Sequence, residues 1–137
     1  MADKVRRVDY HYVHVPDKAG EGARILGGVK DAGVNLLSVT AFPDGEGGAQ
    51  IDFVAENSEG LLRALKGLGL KPSERKRAFF VQGDDRTGAV ADVLKKLSEA
   101  GVNVHAANAA AGSGGGFGMI LWVKPEAYDR AAKALGV

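Results

Sequence analysis

The chain has 137 residues, 45% of them hydrophobic and 26% charged, with a net charge of +1 and no cysteine. These values describe a folded globular chain rather than a disordered one. They leave no disulfide or thiolate chemistry and no basic surplus that would point to nucleic acid or an anionic membrane as partner. No apolar stretch approaches the ~20 residues of a membrane span, and MADKVRRVDY lacks the apolar segment of a secretion signal. The expected compartment is the cytoplasm, which the absence of cysteine fits.

Residues 5–15 alternate and are rich in β-formers, with Val8, Tyr10, Tyr12 and His14 on one side and Val13 and Val15 on the other, so they predict a strand. Pro16-Asp17 ends it, and Asp17 is placed to cap the helix that follows. Ile25, Leu26, Val29 and Ala32 recur at helical spacing up to a stop at Gly33. Period two returns over residues 35–42, and the run Pro43 to Gly48 predicts a hairpin turn into a strand at residues 50–55. Leu61, Leu62, Leu65 and Leu68 then mark a second amphipathic helix, stopped by Gly69 and Pro72.

The same order follows again. Residues 76–82 read as a strand, and Val90, Val93, Leu94 and Leu97 as a helix face. Residues 102–110 and 118–123 read as strands about the turn at residues 112–116, and Tyr128, Ala131, Ala132 and Leu135 mark a last helix after Pro125. The echo extends to identities. Between residues 17–35 and 85–103, eight of nineteen positions match, including Asp17/Asp85, Gly20/Gly88 and Ala32-Gly33-Val34-Asn35 against Ala100-Gly101-Val102-Asn103. Glu59, Arg63, Ala64, Lys66, Leu68 and Gly69 return, one residue closer, as Glu126, Arg130, Ala131, Lys133, Leu135 and Gly136. An internal repeat of this length sets the architecture. It predicts two β-α-β-β-α modules, residues 1–70 and 71–137, with antiparallel sheets and both helices on one face.

A ferredoxin-like module has a fourth strand after its second helix. Residues 70–75 are placed to supply it in the first copy, whereas only Gly136 and Val137 follow the last helix. At the repeat offset, residues 3–8 correspond to residues 71–76. The N-terminal residues are therefore expected to complete the second module.

The pattern strand, Asp-x-x-Gly, helix, Gly-Val-Asn, strand resembles the ACT domain, a ferredoxin-like regulatory module that binds amino acids. The resemblance covers nearly the whole chain as two tandem copies. In serine-binding members a polar residue opens the loop before the first helix, the Asn of Gly-Val-Asn starts the next strand, and together they hold ligand across an interface between modules. By resemblance Asp17 and Asp85 take the first role and Asn35 and Asn103 the second, while Gly20 and Gly88 let the loop backbone approach the ligand. Those members also carry a His two residues before the loop residue. Val15 and Gly83 stand there, so serine specificity is not implied. An Asp attracts an α-ammonium group and repels an α-carboxylate, so the carboxylate would turn to backbone N–H groups at a helix N-terminus. The same four residues also serve plain structure, as helix cap or strand start.

The resemblance implies a non-enzymatic regulatory protein that acts on an enzyme in trans, with no cofactor and no metal. His11 and His14, three apart on a strand, face opposite ways and are poorly placed for a shared ion. The glycine run at residues 112–118 lacks the Lys-Ser/Thr of a phosphate loop and lies between strands. Arg6, Arg7, Arg75, Lys76 and Arg77 are expected as solvated strand-edge charges. Apolar residues on both parities of the strands, as in Phe79/Phe80 and Leu121/Trp122, predict burial of the second face against another chain or the other module, and a homodimer is expected. Two other readings stay open. An RNA-binding βαββαβ module would need exposed aromatics and a basic face, and a small ferredoxin-like enzyme would have only His105 and Asp52 to work with.

Overall fold

Side chains alternate along a strand, so Val13 and Val15 face the same way as Ile51 and Phe53, and these four form the floor of one hydrophobic core. The computed structural model, which describes residues 3–137, divides into two units: Asp9–Lys76, and residues 3–8 with Arg77–Val137.

In the first unit the far half of β1 (Lys4–Pro16) is followed by α1 (Glu21–Asp31), β2 (Leu36–Pro43), β3 (Gly48–Ala55) and α2 (Ser58–Gly67). The strand order is β2-β3-β1. Both pairings are antiparallel, with Val13 opposite Ile51 and Thr40 opposite Asp52. Ile25 and Val29 of α1 and Leu61 and Leu65 of α2 close over the same sheet face, as the predicted helical periodicities require. Asn57 caps α2 by accepting from the Gly60 N–H at 3.0 Å. The cap expected from Asp17 is not made. Gly20 is the N-cap residue of α1, in the left-handed region at φ 92°, with no side-chain cap. A left-handed corner of this kind favours glycine.

The second unit repeats the plan with β4 (Lys76–Asp84), α3 (Ala89–Glu99), β5 (Ala106–Ala111), β6 (Gly116–Trp122) and α4 (Tyr128–Leu135). Its order is β1-β4-β6-β5, so the near half of β1 is the fourth strand, as the repeat offset predicts. Val5 packs against this unit's core, and the Arg7 guanidinium donates to the Val137 carbonyl at 3.1 Å. Phe79, Val81, Met119 and Leu121 form the floor, covered by Val93 and Leu97 of α3 and by Tyr128, Ala131 and Leu135 of α4. Tyr128 stacks on Phe79 with centroids 4.5 Å apart. Gly88, at φ 83°, again takes the cap position without a side-chain cap.

Three expectations change. Residues 70–75 are not a strand. Pro72 has no N–H to give a ladder, and the segment is instead tied to β1 where the Ser73 N–H donates to the Tyr12 carbonyl at 2.8 Å and the Ser73 hydroxyl accepts from the Tyr12 N–H at 3.0 Å. The basic residues are not bare edge charges, although Arg7, Arg75 and Arg77 are exposed: Arg75 pairs with Asp9 at 3.8 Å. Arg77 lies 3.9 Å from the Tyr128 ring centroid, Arg6 5.4 Å from that of Phe80 and Lys76 6.0 Å from that of Tyr12. Their charged ends lie over aromatic faces, where a cation is attracted by the ring. Finally, on the sheet faces turned from the helices, Phe80, Ile120 and Trp122 are only 8%, 4% and 7% exposed within the single chain. They need no second copy to cover them, and the dimer inferred on that ground loses its support.

Asp52 lies on the face turned from the helices of the first unit and is 8% exposed. Burial pushes its carboxyl pKa up, and the hydrogen bond from Gln50 at 2.8 Å and the nearby His14 pull it back only in part. A raised carboxyl pKa means the folded state holds its proton to higher pH than the unfolded state. Its contribution is therefore present below the unfolded value and lost as pH rises through the folded one. Asp52→Asn is expected to raise the melting midpoint at neutral pH by a few degrees, about 3–5 °C per kcal/mol relieved, with the gain vanishing below about pH 4. Melts of both proteins across pH check this, and an equal shift at every pH would refute it.

Candidate functional site

The two loops that carry Asp17 and Asp85 are built alike. Each Asp N–H donates to a carbonyl of its unit's hairpin turn, Asp17 to Gly47 at 3.2 Å and Asp85 to Gly115 at 2.8 Å. The turns can present these carbonyls because Gly45, Gly47, Gly114 and Gly115 all take positive φ. The glycine run at residues 112–118 is thus a turn that anchors the neighbouring loop. From each Asp the chain passes through the left-handed glycine into a helix whose first turn has no side-chain cap.

In the second unit this corner opens on a crevice of about 240 Å³. Asp85, Arg86 and Gly88 form one wall with residues 89–91 of α3, and residues 109–111 of β5 and Phe117 form the other. The Ala89 N–H is taken by the Arg86 carbonyl and the Asp92 N–H by that of Gly88. The amides of Val90 and Ala91, which line the crevice, belong to the helix turn that has no intrahelical acceptors. The site therefore sets a carboxylate, a row of backbone donors at a helix start and an apolar wall side by side. Such a row favours an anionic group, while Asp85 favours a cationic one.

Arg86 is tied down beside the crevice. Its Nη1 donates to Asp3 Oδ1 at 3.0 Å and to the Asp84 carbonyl at 3.2 Å, and its Nη2 to Asp3 Oδ2 at 3.2 Å and Asp92 Oδ2 at 3.1 Å. The Asp3 bonds foremost, then those of Asp92, push its pKa further above the ordinary arginine value.

The residues expected to act together are separated within each unit. Asp85 and Gly88 line the crevice, but Asn103 is not among its walls. Asn35 lines a shallower groove of about 440 Å³ with Leu26, Val29 and Gly33, and neither Asp17 nor Gly20 borders it. The reason is the helix. Asp and Asn flank an 11-residue helix in each unit, which holds its ends about 16 Å apart. Sequence reasoning missed Asp3, Arg86, Phe117 and the alanines of β5.

No protein-family model matches the sequence, and no curated protein matches it. Solved structures do match the fold. Protein BT0572 from Bacteroides thetaiotaomicron superposes with a TM-score of 0.83 at 14% identity, over 96% of this chain and 88% of that one. The ligand-free regulatory subunit of aspartate kinase from Thermus thermophilus gives 0.67 at 14% identity, over 98% and 94%. E. coli aspartokinase III in complex with lysine and aspartate gives 0.58 at 16% identity, over 99% of this chain and 32% of that one. At such identities the likeness is one of fold. Four helices and antiparallel strands in this order make an α+β chain with the architecture of aspartate kinase regulatory domains.

Proposed function

We propose that this chain is a non-enzymatic regulatory protein of two tandem ACT-like modules. It binds a free amino acid in the crevice beside Asp85 and Gly88 and passes the occupancy to a partner enzyme in trans. The observation that carries this reading is the crevice itself, where Asp85 offers a seat for an α-ammonium group a short way from the uncapped first turn of α3, whose amides suit an α-carboxylate. Its volume lies below the roughly 300–1,000 Å³ of pockets for drug-sized ligands, which suits a small metabolite. The lysine and aspartate held by the E. coli aspartokinase III structure support amino acids as the ligand class. A ligand that binds one packing of these walls better than another shifts the chain toward it, and a partner that senses the packing is coupled to the ligand. A second copy of the chain is the partner we place at β5, whose six residues are all exposed and uncharged at a sheet edge.

A thermal-shift screen against the twenty amino acids, one at a time, tests the proposal. Binding to the folded state alone stabilises it by roughly 2.7 kcal/mol at a hundred times Kd, so at least one amino acid should raise the midpoint, and Asp85→Ala should abolish the rise. Silence from all twenty ends this reading. RNA retention or metabolite turnover would replace it with a nucleic-acid-binding module or an enzyme.

A further inference from the structure

Just ahead of the strand that completes the second unit stands an acid that reaches the crevice wall. Asp3 has a side chain only 9% exposed and grips Arg86 through both carboxylate oxygens. With Asp84 and Asp92 it takes up both terminal nitrogens of the guanidinium. The carboxylate sits where Gly83 leaves room, because a Cβ at position 83 would run into Asp3 and the Phe117 ring. Phe117 in turn lines the crevice, and the Arg86 guanidinium lies 6.0 Å from its ring centroid. Gly83, Asp3, Arg86 and Phe117 are therefore one contiguous packing unit behind the pocket. A bidentate pair with a largely buried carboxylate fixes direction as well as distance.

The other unit does not repeat this arrangement. At the repeat offset, Lys18 stands for Arg86, Lys71 for Asp3, Arg24 for Asp92 and Val15 for Gly83. Arg24 pairs instead with Glu21 on its own helix, and Val15 is core. The loop at residues 84–88 is thus held by a residue more than eighty positions away, whereas the loop at Asp17 has no acid at the corresponding place.

We propose that Asp3 is a positioning residue for the ligand crevice: through Arg86 it holds the β4–α3 loop in the geometry that presents Asp85 and the α3 amides to one ligand. Docking of the first strand and occupancy of the crevice are then linked, each favouring the other. The assignment rests on the amino-acid reading above for its ligand, but not for the latch itself. Arg86 serves the loop and not the ligand carboxylate, since its terminal donors are already committed.

Amide hydrogen exchange measured by NMR on the full chain tests the latch without any ligand. Asp3→Asn should speed exchange at the Asp85 and Ala89 amides by about tenfold, leaving the Asp17 amide and the Phe79 amide in the core unchanged. Asp3→Glu, which keeps the carboxylate for Arg86, should retain the protection. Unchanged exchange at Asp85 and Ala89, or faster exchange throughout the second unit, overturns the proposal. In the twenty-amino-acid screen, any compound that shifts the wild-type midpoint should bind Asp3→Asn about tenfold more weakly. Tighter binding would show that Asp3 competes with the ligand for Arg86 and would also overturn it. If no amino acid shifts the wild type, the ligand reading fails while the exchange result still decides the latch.

Discussion

Removing residues 1–8 should lower the melting midpoint by more than about 10 °C, the largest effect expected for any short truncation of this chain. The near half of β1 is the strand that flanks β4 in the second unit. Its loss takes Val5 from the core, the Arg7 donor from the Val137 carbonyl and Asp3 from Arg86. It also strips a row of ladder partners from β4, whose residues 78–81 are all buried. A partly buried Val is worth about 1 kcal/mol and each lost hydrogen bond about 1 kcal/mol, so the total reaches several kcal/mol. The damage belongs to one unit. Exchange protection should therefore fall at Phe79, Val81 and Met119 before it falls at Val13, Ile51 and Phe53. A truncated chain that melts with the full-length one would mean that residues 3–8 contribute nothing to the fold.

A paired substitution at the two left-handed corners should separate structure from binding. Gly88 and Gly20 sit at φ 83° and 92°, and a Cβ built on either meets nothing within 4 Å. Gly88→Val and Gly20→Val therefore carry the same penalty, backbone strain of about 1–2 kcal/mol together with the stiffness of a β-branched residue. Each should lower the midpoint by about 5–10 °C. Their effects on ligand should diverge. At Gly88 the new side chain projects beside Asp85 and the first turn of α3, at the crevice wall, and the thermal response to amino acids should be lost. At Gly20 the groove described in that unit lies at the other end of the helix, and the response should persist on the lowered baseline. Loss of the response in Gly20→Val alone would move the site to the first unit.

Both experiments turn on features of different legibility. The elements could be read because their signals are local. A period of two across Tyr12, Val13, His14 and Val15, or of 3.6 across Leu61, Leu62 and Leu65, is set by which side of one strand or helix faces the core. Duplication extended that reach, since the same pattern offset along the chain assigned residues 3–8 to the second copy with no contact in view. The candidate corners at Asp17, Gly20, Asp85 and Gly88 were legible for the same reason.

What the sequence alone determined, then, is the kind and order of the helices and of every strand but the one expected at residues 70–75, together with the strand borrowed from the N-terminus. Only the tertiary structure decided that glycine rather than Asp caps α1 and α3. It also decided that Arg77 lies on Tyr128, that Phe80 and Trp122 are buried within one chain, and that Asp85 and Phe117 line one crevice while Asn103 stays at the far end of its helix. The grip of Asp3 on Arg86 joins residues 83 positions apart. Such pairings depend on which surfaces meet after the chain has folded back. Neither periodicity nor propensity carries that information, because both describe a residue's relation to its own element and not to a distant one.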